Sequence, residues 1–179
     1  MSEALTPKKN AINHGVILGL MLALSTTIMY AFDSELFTKW WVGILSLLLV
    51  VVMGIISTAK SKGIQGGLMS FKEAFSSYFI TCAVGLAIST LVGILIFSIV
   101  DPELAQYLNE RSMELAQEYM VKFGTPQAEI DKAMAELATK DNFSIVNQAK
   151  SYASLLIFHA VIGLLVGLIF KKKDPAAID

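Results

Sequence analysis

His159 is the side chain best placed to do chemistry in this 179-residue chain. It stands near the middle of a run without Asp, Glu, Lys or Arg, one helical turn before Gly163. An imidazole there could accept and release protons near neutral pH, and an ionisable group at membrane depth is a functional candidate by default. A proton relay needs acidic partners, and no Asp or Glu lies at comparable depth. Hydroxyls are plentiful at Ser25, Thr26, Thr27, Thr81, Ser89 and Thr90, so the expected role is a structural, hydrogen-bonded histidine facing the helix seam. His14 is expected at an interface.

Lys72 and Glu73 are the second candidates, as a charged pair that could hold a polar substrate. Their setting favours another role. Gly66 and Gly67 break the chain, and Ser70 followed three residues later by Glu73 is a capping box that starts a helix. A short amphipathic turn on the membrane is expected before the span itself. Asp101-Pro102-Glu103 is read similarly, as an N-cap with proline at the first helical position. No metal site is expected, because two histidines on separate segments and the single Cys82 fall short of three or four ligands. Cys82 is expected to pack. HExxH, GxSxG and Walker patterns are absent, so neither catalytic residues nor a cofactor are expected.

The elements that position these groups are four charge-free runs, 11–32, 40–59, 78–100 and 151–170, of 22, 20, 23 and 20 residues. About 20 helical residues cross a hydrocarbon core about 30 Å thick. Composition agrees: 55% of residues are hydrophobic and 16% charged, against about 25% charged in soluble domains. The first run is too long for a secretory signal core and lacks a small-x-small cleavage site. The expected fold is all-α, an integral membrane four-helix bundle forming one domain. Gly15 and Gly19, Gly85, Ser89 and Gly93, and Gly163 and Gly167 recur at intervals of four, marking faces where helix backbones approach within one bundle.

Charge sets the expected orientation. Lys8, Lys9, Lys60, Lys62, Lys72, Lys171, Lys172 and Lys173 share one side, which the positive-inside rule makes cytoplasmic for both termini. The opposite side carries Lys39 and the 101–150 segment, with nine acids against five basic residues. The net charge of -1 hides this division. It gives no reason to expect nucleic acid, and the basic flanks suit anionic lipid headgroups. Trp40, Trp41, Tyr30, Phe32 and Tyr152 are expected at one interface, and Phe71, Phe75, Tyr78 and Phe79 at the other.

Within 101–142 a helical hairpin is expected outside the cytoplasm. Leu104, Leu108, Leu115, Tyr119 and Phe123 recur at helical spacing, Gly124 stops that helix, and Thr125-Pro126 starts another along Ile130, Ala133, Met134 and Leu137. Its apolar stripe is expected to pack on its own partner helix. Membrane lipids are expected partners, with a homo-oligomer or another membrane protein possible in addition.

Several features occur in a familiar order: the Asn13-His14-Gly15-Val16-Ile17-Leu18-Gly19 entry, the 66–75 segment, Val100-Asp101-Pro102-Glu103, Gly124-Thr125-Pro126-Gln127-Ala128-Glu129-Ile130, and a last span ending in lysines. In that order they resemble a bacterial family of four-span membrane proteins defined as a domain of unknown function, the 4199 type. The resemblance covers nearly the whole chain. It implies a four-helix membrane domain of the inner membrane, with no established activity, cofactor or catalytic residue. Function is therefore expected to be non-enzymatic, structural or through interactions. The alternative is a small transporter or channel subunit using His159 in a polar bundle interior; a lipid-modifying enzyme has least support, for want of a nucleophile with a base.

Overall fold

A computed structural model describes residues 5–172, which form six α-helices. These are α1 (Pro7–Phe32), α2 (Trp40–Ile64), α3 (Phe71–Ile94), α4 (Pro102–Lys122), α5 (Gln127–Ala138) and α6 (Ile145–Phe170). A 3-10 turn, Ser34–Thr38, joins α1 to α2, and α3 runs on without a break through a π-helical end, Leu95–Val100. Four helices, counting α3 with its extension, are long and apolar enough to cross a membrane. Lys173, counted above with the basic side, lies outside the described residues.

Each spanning helix outruns its charge-free stretch. The first starts at Pro7, α2 continues past Lys60 and Lys62 to Ile64, α3 starts at Phe71 and α6 at Ile145. Charge limits where lipid can begin, whereas a helix stops only when its backbone is capped or broken. Lysines near an end can run their methylene stems along the apolar surface and keep the ammonium in water. Each start is capped by a side chain where one is available: Thr6 for α1, Ser70 for α3, Asp101 for α4 and Ser144 for α6.

Helix α3 is the central post, packed against α1, α2 and α6, while α1 also lies along α2. Its core holds Leu18, Leu22, Val50, Tyr78, Cys82, Leu86 and Val166. Close approach comes from glycine. A Cβ on Gly85 would sit 2.6 Å from Leu18, one on Gly19 2.6 Å from Ile88, and one on Gly167 2.8 Å from Phe71. Lipid gives helices no hydrophobic reason to associate, so tight van der Waals fit between such faces is what holds them.

The bundle is turned inside out relative to a soluble protein. Leu24 on α1, Leu91 on α3 and Ile169 on α6 are 61%, 66% and 76% exposed, while Asn10, Ser57, Ser61, Thr81 and His159 are buried. Water cannot cover so much apolar surface on four helices, and lipid can. The chain is an all-α, multi-pass membrane-type bundle.

Several expectations need correction. Tyr78, placed at an interface by its type, is fully buried in the core, because Gly54 and Gly163 leave room for its ring between α2 and α6. His14 is buried too, at 9% exposed. No separate amphipathic turn precedes α3. Instead Gly66 and Gly67 take positive φ values of 69° and 86°, and Met69 pairs with Lys172 through two backbone bonds of 3.0 and 2.8 Å. Helix α5 begins one residue later than expected, with Pro126 at its N-cap and no side-chain cap. The Pro126 carbonyl accepts from Glu129 N and Ile130 N, which makes the proline the residue before the first turn.

The start of the apolar stripe of α4 finds a different partner, although α4 also packs on α5, where Ile130 is buried. Ala105 and Leu108 are buried against Ile96 and Phe97 at the end of α3, with Tyr30, Phe37, Leu104 and Phe143 around them. Phe97 meets Phe37 edge-on at 5.1 Å and Phe143 at 4.7 Å. The start of α4 is thus seated on the bundle, whereas Tyr119 and Phe123 at its far end are exposed.

Candidate functional site: a buried polar seam and the groove beside it

Three helices bring their small polar residues to one line. On α1 these are Asn10 and His14, on α2 Ser57 and Ser61, and on α3 Ser77 and Thr81, each pair four residues apart and so on one helix face. Asn10 Nδ2 donates to Ser61 Oγ at 2.9 Å and to the Ser57 carbonyl at 3.0 Å. Ser61 and Ser77 share a hydroxyl bond of 2.7 Å. Thr81 Oγ1 lies 2.7 Å from Ser57 Oγ, 3.1 Å from the Ala11 carbonyl and 2.9 Å from the Ser77 carbonyl.

His14 joins this seam through its own helix. Its Nδ1 stands 2.8 Å from the Asn10 carbonyl. A carbonyl can only accept, so Nδ1 is the donor in this bond. The seam crosses α1, α2 and α3 and pins them in register, because sliding any helix would break several bonds in a medium that offers no replacement.

His159 stands apart from the seam. It is 1% exposed, and its Nδ1 is 3.0 Å from the hydroxyl of Tyr78, with Phe158 edge-on at 5.7 Å. The partner is a phenol and not one of the serine or threonine hydroxyls expected from the sequence. Gly163, one turn on, receives the rings of Tyr78 and Phe75. The pair shares one hydrogen bond, which links α3 to α6.

Lys72 and Glu73 lie elsewhere, at the basic end. Glu73 caps α3: Oε2 accepts from Ser70 N at 2.8 Å, Ser70 Oγ accepts from Glu73 N at 3.3 Å, and Oε1 accepts from Gln65 Nε2 at 3.2 Å. Both carboxylate oxygens are therefore occupied by the chain itself. Lys72 borders a groove of about 520 Å3 with Lys8, Thr6, Ser76 and Ser77. Of the predicted packing residues, Gly15, Gly19, Gly85, Gly163 and Gly167 face neighbouring side chains, Gly93 faces the Gln148 amide, and Ser89 is half-buried. Among the described residues no three His, Cys, Asp or Glu side chains gather as metal ligands.

The sequence offers Thr81 only as a hydroxyl for His159, which it does not meet, and Asn10, Ser57, Ser61 and Ser77 are not singled out there. The signal was present, as three i, i+4 polar pairs on consecutive helices. Single serines in apolar runs hide it, because each can also satisfy its hydroxyl on its own helix.

At the opposite end a small ionic contact holds α4 to the turn after α1. The Tyr107 hydroxyl donates to Glu35 Oε1, and Arg111 approaches Glu35 Oε2 at 4.0 Å. The tyrosine bond, aided by Arg111 and Lys39, holds the Glu35 carboxyl below its ordinary 4.5, and the same bond raises Tyr107 above its ordinary 10.0. A depressed carboxylate contributes above its unfolded value and loses that contribution as pH falls through the folded one; a raised phenol contributes below 10.0 and loses it as pH rises further. The contact is thus intact between those limits. Glu35→Gln should return Tyr107 toward its ordinary titration, read by ultraviolet absorbance with Tyr107→Phe as the subtraction. Titration of Tyr107 unchanged in that variant would show the bond absent. These groups are exposed, so the effect on stability is small.

Residues 13–172 match a family model described as Protein of unknown function (DUF4199), and the chain belongs to that family. No curated protein and no solved structure matches it.

Proposed function

We propose that this member of the DUF4199 family is a non-enzymatic protein of the bacterial inner membrane that holds a partner protein through α4 and α5, with both termini in the cytoplasm. One contrast carries the reading. The bundle interior is closed and internally bonded, down to His159 at 1% exposed, whereas the reactive-looking surface lies in water on the α4–α5 segment. There Tyr119 and Phe123, four residues apart at the end of α4, are both exposed. A cleft of about 580 Å3 also opens between α4 and the chain leading into α6, with Phe97, Ala105 and Phe143 as its floor and Gln106, Glu110 and Lys140 at its rim.

Lysine placement supports the sidedness, since the basic residues cluster at the end where α1 begins and α6 finishes. Closure around His159 weighs against the transport alternative, which needs an open path to that ring. The reading is tested in native membranes with a photo-crosslinking residue at Phe123 and a lipid-facing control at Leu45. Discrete protein adducts from Phe123 and none from Leu45 are expected. Repeated absence of any adduct at Phe123 would remove the reading, and labelling of Ser112→Cys only from the cytoplasmic side would reverse the orientation.

A further inference from the structure

We infer that the groove between the first turns of α1 and α3 binds the phosphate end of an anionic glycerophospholipid. Lys8 and Lys72 are each the second residue of their helix, and both border the same cavity of about 520 Å3. Neither has an ion pair with a described residue. Glu73, the one acid among the described lining residues, is held in place by Ser70 and Gln65, and against its single negative charge the two lysines leave the lining with a net positive charge.

The rest of the lining is graded as a lipid is. Ser76 sits one turn above Ile80 on the same side of α3, and Pro7 forms the facing wall. Phosphate oxygens meet the lysines at the mouth, the glycerol ester region meets Ser76, and an acyl chain continues along Ile80 toward the exposed apolar face of the bundle. The start of each helix adds the positive end of its dipole. A zwitterionic headgroup offers the same phosphate but carries its own ammonium into a site that already holds two.

The inference does not depend on the partner-holding reading, and its readout involves no partner. The full chain is purified in mild detergent and presented with equal phosphatidylglycerol and phosphatidylcholine, and lipid retained on the intact protein is counted by native mass spectrometry. Wild type should retain phosphatidylglycerol preferentially. Lys8→Gln or Lys72→Gln should each lower that preference roughly fivefold, and the pair together about 25-fold, the change that about 1 kcal/mol per basic residue gives. The Lys8→Arg/Lys72→Arg pair should keep it, as should Lys122→Gln, and circular dichroism checks that each variant is folded.

Equal retention of the two lipids by wild type would overturn the assignment, as would an undiminished preference in the double glutamine variant. Displacement of phosphatidylglycerol by millimolar inorganic phosphate would mean that the groove takes free phosphate, and the lipid assignment would fall.

Discussion

Replacing Tyr78 by alanine should destabilise the bundle by about 2–3 kcal/mol, most of it from an unfilled cavity. In water, truncating a buried aromatic loses a transfer term and a cavity term together. Between lipid-embedded helices the transfer term largely vanishes, since the separated helices bury the ring in hydrocarbon as well. What remains is a void of roughly 100 Å3 which, at about 24 cal/mol per Å3, is worth about 2.4 kcal/mol. The bond to His159 adds about 0.6 kcal/mol, the average for an interhelical hydrogen bond in a membrane.

Tyr78→Phe isolates that second part and should cost no more than about 1.7 kcal/mol. Reversible unfolding in mixed micelles would measure both variants, and His159→Ala would complete a double-mutant cycle with Tyr78→Phe. Equal losses for Tyr78→Ala and Tyr78→Phe would mean that the ring fills no space of its own. The position matters beyond its own contacts, because this one ring touches α2 through Gly54 and α6 through both Gly163 and His159.

Tyr78 also marks where the sequence is legible and where it is not. The spanning helices show because excluding charge from lipid is a one-dimensional constraint, visible in runs such as 40–59 without knowledge of the neighbours. Their true ends are less visible: Lys60 and Lys62 end a charge-free run but not a helix. Capping is local, and Ser70 with Glu73 could be read directly. Which side of a span faces inward is not local. Tyrosine favours the interface as a type, yet Tyr78 goes inside because glycines on two other helices vacate its place.

The same holds for polar groups. His14 looks accessible because it is near a helix start, and it is buried because it shares the face of α1 on which Asn10 meets α2. The docking of Leu108 was hidden for a related reason. An amphipathic stripe states that something will cover it, and here the cover is Phe97 at the end of a spanning helix and not the neighbouring α5. The polar seam that ties α1, α2 and α3 is likewise invisible until the three helices are brought together, since Asn10, Ser57, Ser61 and Ser77 carry no signal one at a time.

Gly54→Leu should cost about 3 kcal/mol, at the upper end for forcing extra atoms into a filled core. A Cβ at this position would lie 2.5 and 2.6 Å from Tyr78 ring carbons and 3.2 Å from Cys82 Sγ, too close for any real side chain. The Tyr78 ring cannot retreat, since Gly163 beyond it would bring a Cβ within 3.1 Å of the same ring and so shows how closely α6 lies behind. Either α2 moves away from α3 or the Tyr78–His159 bond breaks.

Combining Gly54→Leu with Tyr78→Ala separates this from general damage to α2. The leucine then enters the space the ring has left, so the double variant should be more stable than the sum of the two losses predicts, by about 2 kcal/mol or more, because one void and one overlap cancel. Strict additivity would place the two residues out of contact and would refute the packing of α2 on α3. Gly43 supplies the control. It lies on the same helix where a side chain would meet open space, and Gly43→Leu should leave the unfolding free energy nearly unchanged.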